Sequence, residues 1–267
     1  MSVDLADKVV LVTGASSGIG RAVAGELARR RCRLLLTALE AAQLEAVVEQ
    51  LRSGGNAQVE SLPADVTDPS SRKALVEWVR SRSPPLDVVV SNAGGGRFAR
   101  FSRASWDDLH GTIALNVEAP THLLRELLPG LKARPEARIV IVSSGIGRLP
   151  YPGLAVYGAS KGYLSSLGET LACELLGTRV GVLVFFPGFT RTGFMDAAGM
   201  DMSRVPGFMI ESPEKVARRI VRCIERDRQW SYSDLSSRLA ALAGPLLPSR
   251  LRVRILRNLF WRLPDEG

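Results

Sequence analysis

Lys8-Val-Val-Leu-Val12 runs without a break into Thr13-Gly-Ala-Ser-Ser-Gly-Ile-Gly20, and a helical pattern over residues 19–30 follows at once. A short run that is apolar throughout reads as a strand covered on both faces. Glycines at 14, 18 and 20 permit a tight turn, close approach of the backbone to a pyrophosphate, and close packing of the helix behind it. The first turn of that helix offers free N–H groups and a positive dipole end to phosphate oxygens. Glycine-rich turns before helices are common. This one stands out by its place after the first strand of a βαβ unit and by its G-x3-G-x-G spacing, which differs from G-x-G-x-x-G.

Outward from that turn the alternation continues. Apolar runs at 33–37, 86–91, 138–143 and 180–186 read as further strands, with a weaker one at 57–62. Between them, residues 40–53, 70–82, 106–131 and 157–176 have helical spacing. The pattern predicts an α/β fold: a single doubly wound Rossmann-type domain over residues 1–267, with a central parallel sheet and helices on both faces.

Composition excludes other classes. With 267 residues, 46% hydrophobic and 23% charged, the chain is neither disordered nor of low complexity. Its net charge of +8 is concentrated late in the chain: from Glu211 onward twelve basic residues face seven acidic ones, and Arg238 to Arg262 holds six arginines and no acid. Three dispersed cysteines and two histidines, His110 and His122, give neither a disulfide framework nor a zinc spacing, so no metal is expected and a reducing, cytoplasmic setting is. The acidic start lacks the form of a signal peptide, and the longest apolar stretch, 239–248, has ten residues and two prolines, too short for a spanning helix.

Several small motifs follow in order. They are Asp65-Val66-Thr67, Asn92-Ala93-Gly94, Asn116 within Leu115-Asn-Val117, Ser143-Ser144, Tyr157-Gly-Ala-Ser-Lys161, and Pro187-Gly188 with Thr190 and Thr192 close behind. Taken singly, these read as a turn or helix cap, an ordinary loop, a helical asparagine, a strand end, a chance pair and a strand terminator. Tyr157 and Lys161 at i, i+4 share one helix face, across from a serine ending the preceding strand. In this order and register, from about residue 8 to 227, the chain resembles the short-chain dehydrogenase/reductase family.

The resemblance implies that Gly14, Ser16, Ser17, Gly18, Ile19, Gly20, Asn92, Ala93, Gly94, Pro187 and Gly188 hold NAD(P). It places Asp65 and Val66 beside the adenine, Thr190 and Thr192 at the nicotinamide amide and phosphates, and Tyr157 and Lys161 at the nicotinamide ribose. It also implies a catalytic tetrad of Asn116, Ser144, Tyr157 and Lys161. A phenol ordinarily titrates at ~10. Lys161 and a positive nicotinamide would lower that value, letting Tyr157 act as acid in reduction and base in oxidation. Ser144 would steady the developing charge on the substrate oxygen, and Asn116 would hold a water that relays protons to Lys161. Ser143 is the weaker serine, one residue off the spacing. No Gly-x-Ser-x-Gly element supports a hydrolase.

Cofactor choice is read after the second strand. By the same resemblance, the position for an acid that would repel a 2′-phosphate is occupied by Ala38, and those for an attracting cation by Leu39 and Ser17. None is charged. Ser16 and Thr37 as donors, with Arg21 or Arg33 nearby, favour NADP(H) over NAD(H); Glu40 opposes this but reads as a helix cap.

The resemblance implies that residues 189–212 form a substrate lid. They carry Met195, Met200, Met202 and Met209 with Phe189, Phe194, Val205, Phe208 and Ile210, a surface suited either to a large apolar ligand or to packing on the domain. Phe98 and Phe101 alternate with Arg97, Arg100 and Arg103, facing an anionic head group or water. A basic extension, 235–267, includes an amphipathic helix at 249–263 that suits a membrane surface, its own core or a second subunit of a homo-oligomer. No recognition module supports nucleic acid. The expected activity is an NADP(H)-dependent interconversion of ketone and secondary alcohol on a hydrophobic, lipid-like substrate such as a 3-keto sphingoid base, a 3-oxoacyl chain or a steroid. The alternatives are a small polar carbonyl (a sugar or polyketide) and a cofactor-sensing protein without turnover, though the latter would be expected to lack the tyrosine or lysine.

Overall fold

Seven short strands, the inner ones almost wholly buried and the two at the edges less so, form the centre of the structure among the described residues. They are β1 (Val9–Thr13), β2 (Arg33–Thr37), β3 (Val59–Ser61), β4 (Val88–Ser91), β5 (Ala137–Val142), β6 (Val180–Phe186) and β7 (Trp230–Tyr232). A computed structural model describes residues 3–55, 58–199 and 207–233, together with 238, 248, 250, 251, 253 and 254. The strands pair in parallel in the order β3-β2-β1-β4-β5-β6-β7. The chain therefore reverses direction across the sheet between β1 and β4, which opens a crevice at the carboxyl ends of those two strands.

Side chains alternate between faces, as strand geometry requires. Val10, Val12, Leu34, Leu36, Val88 and Val90 face one layer, packed by α1 (Gly18–Ala28), α2 (Ala41–Ser53) and α8 (Pro213–Glu225). Val9, Leu11, Leu35, Val89, Ile139 and Ile141 face the other, covered by α3 (Pro69–Arg80), α5 (Ala119–Lys132) and α6 (Ala155–Glu174). Because both faces are buried, these strands read as continuous apolar runs. The doubly wound α/β reading of the sequence holds.

Three features differ from that reading. The helix expected over 106–131 is interrupted: α4 (Trp106–Ile113) passes into a π-helical segment, Ala114–Glu118, before α5 begins. Two elements, α8 and β7, occur where the sequence was assigned neither. A short helix, α7 (Gly193–Ala198), lies within the proposed lid. Of the lid residues, Met200, Met202 and Val205 lie outside the described residues, as does most of the 235–267 extension. Among the described residues no helix is long and apolar enough to cross a membrane, and no cluster could ligate a metal.

Candidate active site at the carboxyl ends of the sheet

A single cavity of about 660 Å3 runs along the carboxyl ends of the strands, within the size range of small-molecule sites. At one end it is lined by Thr37 to Glu40 and Ala64 to Thr67, in the middle by Gly14, Ser16 to Ile19 and Asn92 to Gly96, and at the other end by Ser144, Tyr157 and Lys161. Pro187, Gly188, Thr190 and Thr192 complete the wall. The expected site residues thus meet in one place, with two exceptions, Gly20 and Asn116, which stand behind it.

The glycine turn is held by its neighbours. Gly14 (φ +66°) and Gly18 (φ +53°) adopt backbone angles that side chains disfavour. Asn92 Nδ2 donates to the Thr13 carbonyl at 2.9 Å, while the N–H groups of Asn92 and Ala93 each donate to Thr13 Oγ1 at 3.0 Å. The Asn92-Ala-Gly94 loop therefore lines the cavity and also staples the turn that begins α1. A Cβ on Gly20 would stand 2.1 Å from the Gly14 carbonyl oxygen, so α1 packs against the turn more closely than any other residue permits. Ser17 makes no side-chain cap, leaving the first N–H groups of α1 to a ligand. This cradle fits a pyrophosphate.

Asp65 is tied to the residue two places on. Its Oδ1 accepts hydrogen bonds from the Thr67 hydroxyl (2.7 Å) and the Thr67 N–H (2.8 Å), and these hold its carboxyl below the usual range. Asp68, not Asp65, caps α3 through the Ser71 N–H. Thr37 Oγ1 is fully buried beside the cavity and has no hydrogen-bond partner among the described residues. Neither expected arginine lines this end. Arg21 donates to Gln50 at 2.8 Å, and Arg33 begins β2, the opposite end of the strand from Thr37.

At the far end, Ser144 lies two residues beyond β5 and hydrogen-bonds Tyr157, while its Oγ accepts the Ile146 N–H at 3.3 Å. Ser143 is occupied structurally, donating to the Lys161 carbonyl at 2.8 Å and bonded to Ser165. Lys161 Nζ donates to the Val142 carbonyl at 3.1 Å and lies 5.7 Å from the Tyr157 ring centroid.

Asn116 stands behind the cavity wall. It is fully buried, in the π segment, and does not line the cavity. Its Oδ1 accepts the Gly95 N–H (3.0 Å), and its Nδ2 donates to the Gly95 carbonyl (2.8 Å) and to Ser160 Oγ (2.9 Å). Ser160 in turn donates to the Tyr157 carbonyl at 2.7 Å. The side chain is thus committed to Gly95 and, through Ser160, to backbone that supports Tyr157. The sequence reading also missed Gly95 and Gly96. A Cβ at Gly96 would meet the Tyr157 ring at 2.7 Å, and one at Gly94 would meet Lys161 Nζ at 2.9 Å. The run of three glycines was the signal that could have found them.

Burial pushes the Tyr157 phenol up to about 12, only partly countered by the Ser144 hydrogen bond, and pulls the Lys161 ammonium down to about 8. The sequence predicts a lowering by Lys161 acting together with a bound, positive nicotinamide; burial of the side chain itself acts in the opposite direction. Between about 8 and the ordinary 10.5, the unfolded chain holds a proton at Lys161 that the native state has shed, so stability rises with pH across that window and is lost as pH falls through about 8. The raised phenol has the opposite effect: from the ordinary 10.0 toward about 12 the unfolded chain ionises first and stability declines. Denaturant melts from pH 8 to 10 are expected to show a rise in stability that Lys161→Met lacks. Parallel profiles for the two proteins would remove the buried-ammonium assignment.

Above the Ser144–Tyr157 pair the lining turns apolar: Ile146, Leu149, Pro150, Tyr151, Phe189, Phe194, Met195 and Met209. Phe194 lies 5.2 Å from the Tyr157 ring, and Phe98 packs into the same cluster. Phe101 is 66% exposed and lies away from this cavity, as do Arg97, Arg100 and Arg103.

Residues 8–202 match the family model for short chain dehydrogenase. The chain belongs to the short-chain dehydrogenase/reductase family. It is an oxidoreductase of that family. An uncharacterized oxidoreductase of Myxococcus xanthus is 35% identical over 93% of this chain and 98% of its own length. The glycine betaine reductase ATRR of Emericella nidulans is 33% identical over 86% of this chain, which spans only 18% of that relative. The 3-oxoacyl-(acyl-carrier-protein) reductase FabG of Escherichia coli is 29% identical over 80% of this chain and 88% of its own length. A short-chain dehydrogenase from Sphingobium yanoikuyae, solved in complex with NADPH, superposes with a TM-score of 0.82 at 27% identity, covering 97% of this chain and 98% of that one. A short-chain dehydrogenase/reductase from Burkholderia phymatum in complex with NAD gives 0.79 at 26% identity, covering 99% of both chains.

Proposed function

We propose that the chain interconverts a ketone and a secondary alcohol on a hydrophobic, lipid-like substrate, using a nicotinamide dinucleotide held along the cavity. The observation that carries this reading is the Ser144–Tyr157 hydroxyl pair beneath an apolar wall of Phe189, Phe194, Met195 and Met209. The dinucleotide, when bound, supplies or accepts the hydride. Gly14 to Ile19 hold its pyrophosphate, Thr190 and Thr192 its nicotinamide side, and Asp65 and Val66 flank its adenine. Tyr157 Oη, protonated at neutral pH, delivers a proton to the substrate oxygen in reduction and takes it back in oxidation. Ser144 donates to the same oxygen and steadies its developing charge. Lys161 binds the ribose, and Asn116 keeps Gly95 and the Tyr157 carbonyl in place through Ser160. Turnover of long-chain 3-oxo compounds and steroid ketones in preference to short polar ketones is the expected result of a substrate panel. Preference for sugars or other polar carbonyls would overturn the lipid assignment.

The same reading favours NADP(H) over NAD(H). Ala38 offers no acid to repel a 2′-phosphate, and the unpartnered Thr37 hydroxyl and the Ser17 hydroxyl lie along this part of the cavity as donors. Glu40 also lines it, and no cation does so at that end among the described residues, so the preference is expected to be modest, about tenfold or about 1.4 kcal/mol. Ala38→Asp is expected to reverse the order through charge repulsion. Calorimetry with both dinucleotides checks this, and tighter NADH binding by the unaltered protein sinks it. The basic, amphipathic stretch 249–263 supports peripheral contact with anionic membrane, and the exposed Trp106 supports self-association into a homo-oligomer.

A further inference from the structure

We propose that Glu211 is a positioning residue for dinucleotide binding: it fixes the wall that carries Thr190 and Thr192 by tying the Phe189–Arg191 backbone to α8. The inference rests on the dinucleotide reading given above.

Glu211 is a carboxylate with a side chain only 6% exposed. Such a group is costly to bury unless it is fully paired. Here Arg219 Nη1 donates to both oxygens, at 2.7 and 2.9 Å, and Lys215 Nζ stands 2.8 Å from one of them. Both cations belong to α8, whose N-terminus is capped by Ser212 immediately after Glu211. The backbone of Glu211 faces the other way. Its N–H donates to the Phe189 carbonyl and its carbonyl accepts the Arg191 N–H, each at 2.9 Å, forming a parallel bridge opposite Thr190.

That bridge borders the cavity. Thr190 is buried, its hydroxyl donating to the Gly188 carbonyl at 3.1 Å. Two residues on, Thr192 touches the glycine turn closely enough that a Cβ on Gly18 would lie 3.1 Å from its Cγ2. α8 meanwhile packs into the same core layer as Val23, Ala24 and Leu27 of α1, the helix that begins at Gly18. A closed frame results: α1 supports α8, α8 holds Glu211 through two cations, Glu211 holds Thr190, and Thr192 returns to Gly18. Charge-assisted contacts fix orientation in a way that apolar packing at this point would not. Removing the carboxylate opens the frame on the side that faces the dinucleotide.

Glu211→Gln and Lys215→Met, each in the full chain, test this by amide hydrogen exchange without dinucleotide, by affinity for NADPH, and by turnover at saturating dinucleotide. In Glu211→Gln the Arg191 amide is expected to exchange about tenfold faster while β5 amides are unchanged. NADPH affinity is expected to weaken about tenfold with kcat within about twofold, and Lys215→Met to move both readouts the same way by a smaller factor. Unchanged Arg191 exchange and unchanged affinity in both variants overturn the inference, as does equal acceleration throughout β5, which marks a merely structural residue. Failure of the unaltered protein to bind either dinucleotide overturns the underlying reading instead, and is seen separately.

Discussion

Tyr157→Phe is expected to lower turnover about 10³-fold while leaving dinucleotide affinity within a few-fold of the unaltered protein. The substitution removes one buried hydroxyl and nothing else. The ring keeps its seat against Gly96 on one side and Phe194 at 5.2 Å on the other. Burial drives the phenol pKa to about 12 because the ionised phenolate is costly to desolvate; the neutral hydroxyl contributes about one hydrogen bond, to Ser144, so the fold loses only about 1 kcal/mol when the oxygen goes. What disappears is the proton that must reach the substrate oxygen as hydride arrives. Loss confined to kcat, with unchanged affinity in calorimetry, identifies an interaction made only in the transition state. A variant that retains a rate near that of the unaltered protein would remove Tyr157 from the chemistry and leave the Ser144 hydroxyl without an acid beside it.

Gly20→Ala is expected to weaken dinucleotide binding by about 100-fold or more, equivalent to about 2.7 kcal/mol, and to lower stability by about 1–3 kcal/mol. The added methyl would stand 2.1 Å from the Gly14 carbonyl oxygen and 2.6 Å from Asn92 Nδ2. The first contact is with backbone, so no side-chain rotation relieves it, and α1 must back away from the turn whose N–H groups it presents. Gly25, one and a half turns along the same helix, has nothing within 4 Å of its Cβ position. Gly25→Ala is accordingly expected to be neutral or to stabilise by about 0.4–1 kcal/mol. Thermal melts of the pair, with affinity measured for each, separate steric exclusion at the turn from a general effect of helix propensity. Equal behaviour of the two variants would refute the close-packing argument.

The contrast between these glycines shows what could be read without coordinates. β1, β2, β4, β5 and β6 were legible because their burial on both faces makes them continuous apolar runs, and the glycine turn because its chemistry is local. β7 was not, since three residues, Trp230 to Tyr232, carry no period to detect. α8 was no more legible: Lys215, Arg218, Arg219 and Arg222 interleave Val216, Ala217, Ile220, Val221 and Ile224, which form a buried stripe at helical spacing. Within the site, the meeting of Ser144, Tyr157 and Lys161 followed from spacing on a strand end and a helix face. The direction of the phenol's shift did not, because desolvation depends on how completely distant segments close over a side chain. Arg33 was placed near the cofactor by sequence neighbourhood, yet a strand carries four residues about 13 Å, and that distance puts it at the wrong end.

The π segment at Ala114–Glu118 makes chain length, more than residue identity, the fragile property of this region. An α-helix advances by about 100° per residue, so a π turn absorbs one extra residue between two helices that otherwise keep their own faces. α4 and α5 can each be repainted along their outer sides without disturbing Asn116. A further residue gained between Ile113 and Ala119 has no second π turn to enter. It would turn the buried stripe of Leu123, Leu124, Leu127 and Leu131 away from β5, or swing the asparagine off Gly95. Point variation and insertion are therefore on different footings within the same stretch of chain: many letters are interchangeable there, but another cannot be added.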